Sequence, residues 1–230
     1  MTGMTRKILI GGVVMTLGAL AACAPKPAPA PPPPPRPVAT YAPARPMPPL
    51  GAAPNLTVPP LNALGQRQTI NTGISSAQTT WNLRSAYNVA ALNCLRPEHT
   101  EILVGYKAFL KAHARGLTAA NSGVDSEFRS LHGSGFVRQR ETYMTQVYNY
   151  FAYPPTVGQF CDVALQMARE SQAVKPADLS SFSATQLQRF ELMFDTFFRS
   201  YEQYRTDAAL WDARYAPAVM PAAVPATTTR

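Results

Sequence analysis

The sequence predicts an all-α protein, a single bundle of about five helices. Between about residues 63 and 215, apolar side chains recur three and four positions apart, which is the period of an amphipathic helix. Strand-like alternation is scarce, and the segment is rich in Leu, Phe, Tyr, Ala and Gln but poor in proline. About 150 residues of this kind make one ordinary domain with a sizeable core.

The first half of the domain divides at a proline and at two polar, glycine-containing segments. A serine pair at 75 and 76 can cap a first helix that runs to about Leu95. Pro97 suits the first turn of a second helix. Asn121–Gly123 and His132–Gly135 then bracket a short helical piece. We therefore expect breaks in the chain at both of these segments.

The second half contains three helices. A third helix begins near Phe136 and ends at a proline pair, after which Thr156 caps a fourth. The segment Ser183-Ala-Thr-Gln186 matches a capping box and is predicted to open the longest helix. One face of that helix carries a stripe of aromatic residues, Phe190, Phe194, Phe197 and Phe198. We expect this stripe to form core; a groove that carries a small apolar ligand is the alternative.

The first 22 residues have the layout of an export signal. Arg6 and Lys7 precede an apolar run, and Ile8–Ala22 has only 15 residues, against the roughly 20 needed to span a bilayer. The run ends in Leu20-Ala-Ala-Cys23, which resembles the lipobox of bacterial lipoproteins. The resemblance implies that residues 1–22 are a lipoprotein signal peptide, with cleavage before Cys23 and acylation of its sulfur and new amine.

The residue after this cysteine bears on location. In lipoprotein sorting an aspartate at that position retains the protein in the inner membrane, whereas this chain has Ala24. The resemblance therefore implies the bacterial outer membrane, with the domain facing the periplasm; the inner membrane and the cell surface are alternatives. Two or more acyl chains on one residue give a stable anchor.

Residues 23–62 are predicted to be a disordered linker that starts at the lipidated cysteine. The segment from Ala24 to Pro60 holds 16 of the chain's 23 prolines and no acidic residue, so it cannot bury a core of its own. At about 3.1 Å per residue in the polyproline II form, it would span about 110 Å. The helical domain is predicted over residues 63–215, followed by a disordered tail at 216–230.

The net charge of +8 does not indicate a nucleic-acid partner. Six of the 21 basic residues lie in the signal, the linker or the tail, which leaves 15 against all 13 acids in the helical region. A nucleic-acid binder needs a concentrated basic stripe, and none is visible. No Cys-x-x-Cys or histidine cluster is present either, so we expect neither a metal nor a cofactor.

Two cysteines remain once Cys23 is acylated. Cys94 and Cys161 both lie on predicted core faces, and an exported compartment permits oxidation. We predict a disulfide between them; two independent buried thiols are the alternative.

The third helix carries the best candidate for a binding surface. Tyrosine and arginine are common at protein interfaces, and polar and tyrosine side chains lie off the apolar stripe of this helix: Arg140, Tyr143, Asn149, Tyr150 and Tyr153. The sequence thus favours a non-enzymatic binding or scaffold module, held by the membrane, whose partner is an envelope protein or peptidoglycan. Packing of the tyrosine rings within the domain is the alternative for this set.

No catalytic motif is evident, and two weak patterns remain as alternatives. Glu98 and Glu101 are three residues apart, which would place two carboxylates together as in a cell-wall hydrolase. Acids in a first helical turn, however, also complement the helix dipole. His132 and Ser134 form a second candidate pair, but no G-x-S-x-G elbow surrounds them.

Several short segments between about residues 80 and 165 carry a further resemblance. They are Trp81-Asn-Leu-Arg, Tyr87-Asn-Val-Ala-Ala-Leu-Asn-Cys94, Tyr106-Lys-Ala-Phe-Leu, Tyr148-Asn-Tyr-Phe-Ala-Tyr-Pro-Pro155 and Phe160-Cys161. In these segments the domain resembles uncharacterised exported proteins of alphaproteobacterial type. The resemblance implies no activity, so no functional residue follows from it.

Overall fold

A computed structural model describes residues 42–215, which form an all-α bundle. The predicted fold class is confirmed. The α-helices of this range are α1 (Ser76–Asn93), α2 (Glu101–Ala112), α3 (Ala114–His132), α4 (Phe136–Phe151), α5 (Val157–Ser171) and α6 (Leu179–Tyr215). Only His113 separates α2 from α3. Single-turn 3₁₀ segments precede α2, α4, α5 and α6.

Helix α1 lies at the centre and contacts each of the other five helices. Its start is fixed by a capping box, in which the Ser75 hydroxyl accepts from the Gln78 amide and the Gln78 side chain accepts from the Ser75 amide. Leu83 and Tyr87 are among its many fully buried side chains. A central helix surrounded by others must be apolar or small over much of its surface, as this one is.

The predicted break at Asn121–Gly123 is wrong, because α3 continues through it. A side-chain carbon added at Gly123 would lie 2.8 Å from the Cβ of Ala77 in α1. Gly123 therefore allows two helices to approach closely and does not end a helix. The actual interruption lies at His113.

The capping box predicted at Ser183-Ala-Thr-Gln186 is also wrong. Helix α6 begins four residues earlier, at Leu179, directly after a 3₁₀ turn that opens with Pro176. Ser183 is fully buried inside the helix. Proline in a first turn supplies the start signal that the serine was expected to supply. With 37 residues, α6 is about 55 Å long.

Residues 42–62 were predicted to belong to a disordered linker, but the structure places them along the bundle. We call residues 42–74 the strap. The Tyr201 hydroxyl donates to the Ala53 carbonyl at 2.7 Å and accepts from the Leu56 amide at 2.9 Å. Two backbone groups of a proline-rich segment, which has no helix or sheet partner of its own, thereby bond to one side chain of α6.

Arg67 fixes the other half of the strap to α6. Its side chain is buried and donates to the carboxylates of Glu202 at 2.7 Å and Asp195 at 3.1 Å. It also donates to the Pro59 carbonyl at 2.9 Å. Hydrogen bonding to Arg67 lowers the pKa of Glu202. The buried cation is thus fully paired, which is the condition for burying one without a large penalty.

Candidate binding surface

Three of the five residues predicted to form the binding surface line one groove. Asn149, Tyr150 and Tyr153 lie at the end of α4, beside α6 and the strap. Together they border a cavity of about 190 Å³. We call it the tyrosine groove; it is lined by Leu56, Thr57, Pro59, Asn149, Tyr150, Tyr153, Phe194 and Phe198.

The walls of the tyrosine groove are held by aromatic packing. The Tyr150 ring centroid lies 4.3 Å from that of Phe194, and the Tyr153 ring meets Phe197 edge-on at 5.7 Å. Such pairs add to the energy of apolar burial. Asn149 is exposed, so its amide is free to face solvent or a partner. The groove therefore combines rigid rings with one polar group at its edge.

A half-buried carboxylate lies behind the groove. The Tyr150 hydroxyl donates to Glu191 Oε2 at 3.2 Å, and the strap adds donations to Glu191 from Thr69 Oγ1 and Asn71 Nδ2, each at 2.7 Å. Burial raises the pKa of Glu191, against the opposing effect of these donors. Burial, together with the adjacent carboxylate, also raises the pKa of Tyr150. The neutral Tyr150 hydroxyl is therefore occupied in its bond to Glu191, and the Tyr150 ring is the part of this side chain that lines the groove.

Tyr143 was predicted to lie off the apolar stripe, and this is wrong. It is buried, its ring packs 5.2 Å from Phe128, and its hydroxyl accepts from Asn82 Nδ2 at 2.6 Å. Burial raises the pKa of Tyr143 to about 12. Its position four residues before the buried Val147 was the available signal, since residues four apart share a helical face.

Arg140 also lies apart from the tyrosine groove. Its guanidinium contacts Asn121 and Asp125 on α3. Charged pairs of this kind satisfy a half-buried arginine and help to fix α4 against α3. The predicted surface thus divides into a groove formed by three residues and two side chains with structural contacts.

The predicted disulfide is present. Cys94 caps the end of α1 and is bonded to Cys161 in α5, with their Cα atoms 5.5 Å apart. Both residues are buried. The bond joins the central helix to an outer one across 67 positions of sequence.

The candidate catalytic groups are engaged in other contacts or lie on the surface. Glu98 pairs with Arg96 at 3.3 Å, and Glu101 binds Arg169 through both of its oxygens. His132 and Ser134 are both exposed in the turn between α3 and α4. Each acid therefore has a basic partner that explains its presence.

The other two histidines are buried. His99 Nε2 lies 3.1 Å from Asp162 Oδ1, and His113 packs against Phe109 with a ring-centroid distance of 4.8 Å. Burial lowers the pKa of His113. Within residues 42–215, no three His, Cys, Asp or Glu side chains come together as a possible metal site.

The aromatic stripe of α6 forms core, as expected. Phe190, Phe194, Phe197 and Phe198 are all buried. The adjoining cavity, at about 190 Å³, is below the roughly 300–1,000 Å³ of small-molecule sites. It suits one inserted side chain better than a whole ligand.

The strap contributes residues that sequence reasoning missed. Arg67, Thr69 and Asn71 hold the strap to Asp195, Glu202 and Glu191 of α6. Asp195 accepts from Arg199 at 2.7 Å and from Arg67 at 3.1 Å. These strap residues lie in irregular chain without periodicity, so no pattern pointed to them.

Cys23 and the rest of the predicted signal lie outside the described residues. None of the helices in the described part of the chain combines the length and apolar character needed to cross a bilayer. Comparisons with protein-family models, with curated proteins and with solved structures give no match to this chain.

Proposed function

We propose that this chain is a lipid-anchored lipoprotein of the bacterial envelope, and that its bundle is a non-enzymatic binding or scaffold module. The observation that carries the proposal is the bond between Cys94 and Cys161. Disulfides persist in oxidising compartments and are rare in the cytosol. An oxidised bundle therefore fits a chain whose first 22 residues resemble a lipoprotein signal and end before Cys23.

The proposed location is the outer membrane, with the bundle in the periplasm. Ala24 follows the proposed lipidation site, where aspartate would favour inner-membrane retention. Acyl chains on Cys23 would hold the chain permanently at the bilayer, because each buried methylene contributes about 0.8 kcal/mol.

The proposed contact site for a protein or peptidoglycan partner is the tyrosine groove. Three features support it: rigid tyrosine rings, an exposed amide at Asn149, and a cavity of one side chain's size. Interface hot spots are enriched in tyrosine and centred on small pockets that an anchor side chain fills. The hydrolase and ligand-carrier alternatives have less support, since Glu98 and Glu101 bind arginines and the cavity is small.

The anchor is tested by comparing the wild-type chain with Cys23→Ser in a bacterial host. We expect the mass of the purified wild-type protein to show loss of residues 1–22 and addition of acyl groups, and the protein to fractionate with membranes. Cys23→Ser should keep its disulfide and lose the acyl mass. A mature wild-type chain without acyl groups, recovered in the soluble fraction, would refute the proposal.

The binding site is tested with a photo-crosslinking amino acid placed at Asn149 in the anchored protein. The matched control is Gln166, an exposed amide on α5 outside the groove. We expect an adduct at position 149 that disappears when Tyr153→Ala is added, and none at position 166. Muramidase digestion of the adduct distinguishes peptidoglycan from protein. Equal labelling at both positions, or none at either, would contradict the assignment of the groove.

A further inference from the structure

One end of the bundle exposes large apolar side chains. They lie where α1 ends, where α5 begins and in the first turn of the strap, and they are Met47, Leu50, Leu92, Leu95 and Val157. Met47 and Leu95 are the most open, at 83% and 79% exposure. We call this set the apolar end. Concentrated exposed apolar side chains mark interaction surfaces more often than scattered ones do.

Contacts bring the segments that carry these side chains close together. The disulfide places Cys94, the neighbour of Leu95, beside Cys161, one turn after Val157. A side-chain carbon at Gly158 would lie 3.2 Å from Arg96 Nη2. The strap turn at Pro49–Gly51 contacts Pro154–Thr156, which leads directly into Val157.

The strap begins at this same end. The hydroxyls of Ser76 and Ser180 lie 3.0 Å apart, so α1 and α6 start side by side. The strap turn at Pro49–Gly51 also contacts α6, and Trp211 Nε1 near the far end of α6 donates to the Pro43 carbonyl at 2.7 Å. Because α6 has 37 residues and α1 has 18, α6 continues beyond the end of α1, and the strap begins on this continuation, on the side of the apolar end.

We propose that the apolar end is a lipid-contact surface that lies against the bilayer holding the anchor. This inference rests on the proposed lipidation of Cys23. Nineteen peptide steps separate Cys23 from Ala42, which limits the separation to about 65 Å even when fully extended. Such a short tether gives the apolar end a high local concentration at the membrane, so weak contacts suffice.

Side chains at the tip of α6 have the chemistry of a membrane interface. Trp211 and Tyr215 are partly exposed and pack on each other with centroids 5.6 Å apart. Tryptophan and tyrosine are enriched at the level of lipid headgroups. The exposed Arg205 and Arg214 lie on the same segment as Asp207 and Asp212, so this tip carries no excess of positive charge for anionic lipid.

The opposite end of the bundle supplies a matched control. Gly123 of α3 approaches Ala77 near the start of α1, and Leu117 borders the same cavity as Trp81 and Arg84 further along α1. Helix α3 therefore runs opposite to α1, and its end lies beyond the start of α1. Leu131 near that end is 76% exposed, which is close to the value for Met47.

The test uses the acylated full-length chain in vesicles of phosphatidylethanolamine with a minor fraction of phosphatidylglycerol. Single spin labels are attached in Met47→Cys, Leu92→Cys and the control Leu131→Cys. With Cys23 acylated and Cys94 bonded to Cys161, the introduced thiol is the one that reacts. All three sites are exposed, so the label does not enter the core, and circular dichroism checks the helix content. Collision of each label with oxygen and with a water-soluble nickel chelate is measured.

We expect collisions with nickel to fall severalfold at positions 47 and 92 and collisions with oxygen to rise, while position 131 keeps the values of an exposed site. A fall in both collision rates at 47 and 92 would show that protein, such as a second copy, covers the apolar end. That result, or equal values at all three positions, would overturn the inference and leave the anchor intact. A chain without acyl mass would instead refute the proposed function itself.

Discussion

Removal of the bond between Cys94 and Cys161 gives the sharpest test of how the bundle is stabilised. The bond closes a loop across 67 positions of sequence. In the loop-entropy model, a loop of this length contributes about 4 kcal/mol to the free energy of unfolding. For a domain of this size, each kcal/mol shifts the melting temperature by about 2–4 °C, so the loss corresponds to about 8–16 °C.

The assay is urea unfolding of the oxidised chain, the chain reduced with dithiothreitol, and the variant Cys94→Ala/Cys161→Ala. Reduction removes the loop constraint but keeps both sulfur atoms in place, so it separates chain entropy from packing. We expect reduction to account for most of the loss and the double variant to lose slightly more, because both sites are buried. A loss below about 1 kcal/mol on reduction, or two free thiols in the denatured, unreduced chain, would refute the reasoning.

Three further changes test the strap and the helix contacts. Arg67→Ala removes one donor from each of two carboxylates and a carbonyl, so urea unfolding should show a loss of about 2 kcal/mol; an unchanged midpoint would contradict the role of Arg67. Because burial lowers the pKa of His113, its contribution to stability should be complete above about pH 6.5 and lost as pH falls below it; His113→Leu should flatten this part of the stability–pH curve. Gly123→Ala would bring a carbon within 2.8 Å of Ala77 and should cost about 1–3 kcal/mol. The control Gly135→Ala meets no neighbour within 4 Å and should be neutral or stabilising by about 0.4–1 kcal/mol; equal effects of the two glycine variants would argue against close helix packing at Gly123.

Local patterns were sufficient to predict the helices and much of the core. The Ser75 cap, the aromatic stripe of α6 and the two core cysteines depend on residues near one another in sequence, so periodicity and capping rules apply. The same rules failed at Gly123 and Ser183. There, a neighbouring helix and a preceding proline turn decide the local structure.

The groove could be predicted only in part, because three of its eight lining residues come from the strap. Asn149, Tyr150 and Tyr153 could be identified from the sequence, because they form a tyrosine-rich segment off the apolar stripe of α4. Leu56 and Pro59 belong to chain whose composition predicts disorder, and their position is set by contacts with α6 more than 100 residues away. Long-range hydrogen bonds to single residues such as Tyr201 leave no periodic pattern.

The two fixed points of the strap have a consequence for how the chain tolerates change in length. Tyr201 holds the backbone at Ala53 and Leu56, and α6 carboxylates hold Arg67. The distance between these two attachment points on α6 therefore fixes the length of the stretch from Leu56 to Arg67. One added residue in it would force the chain to bulge outward or would release the buried Arg67 from its carboxylates.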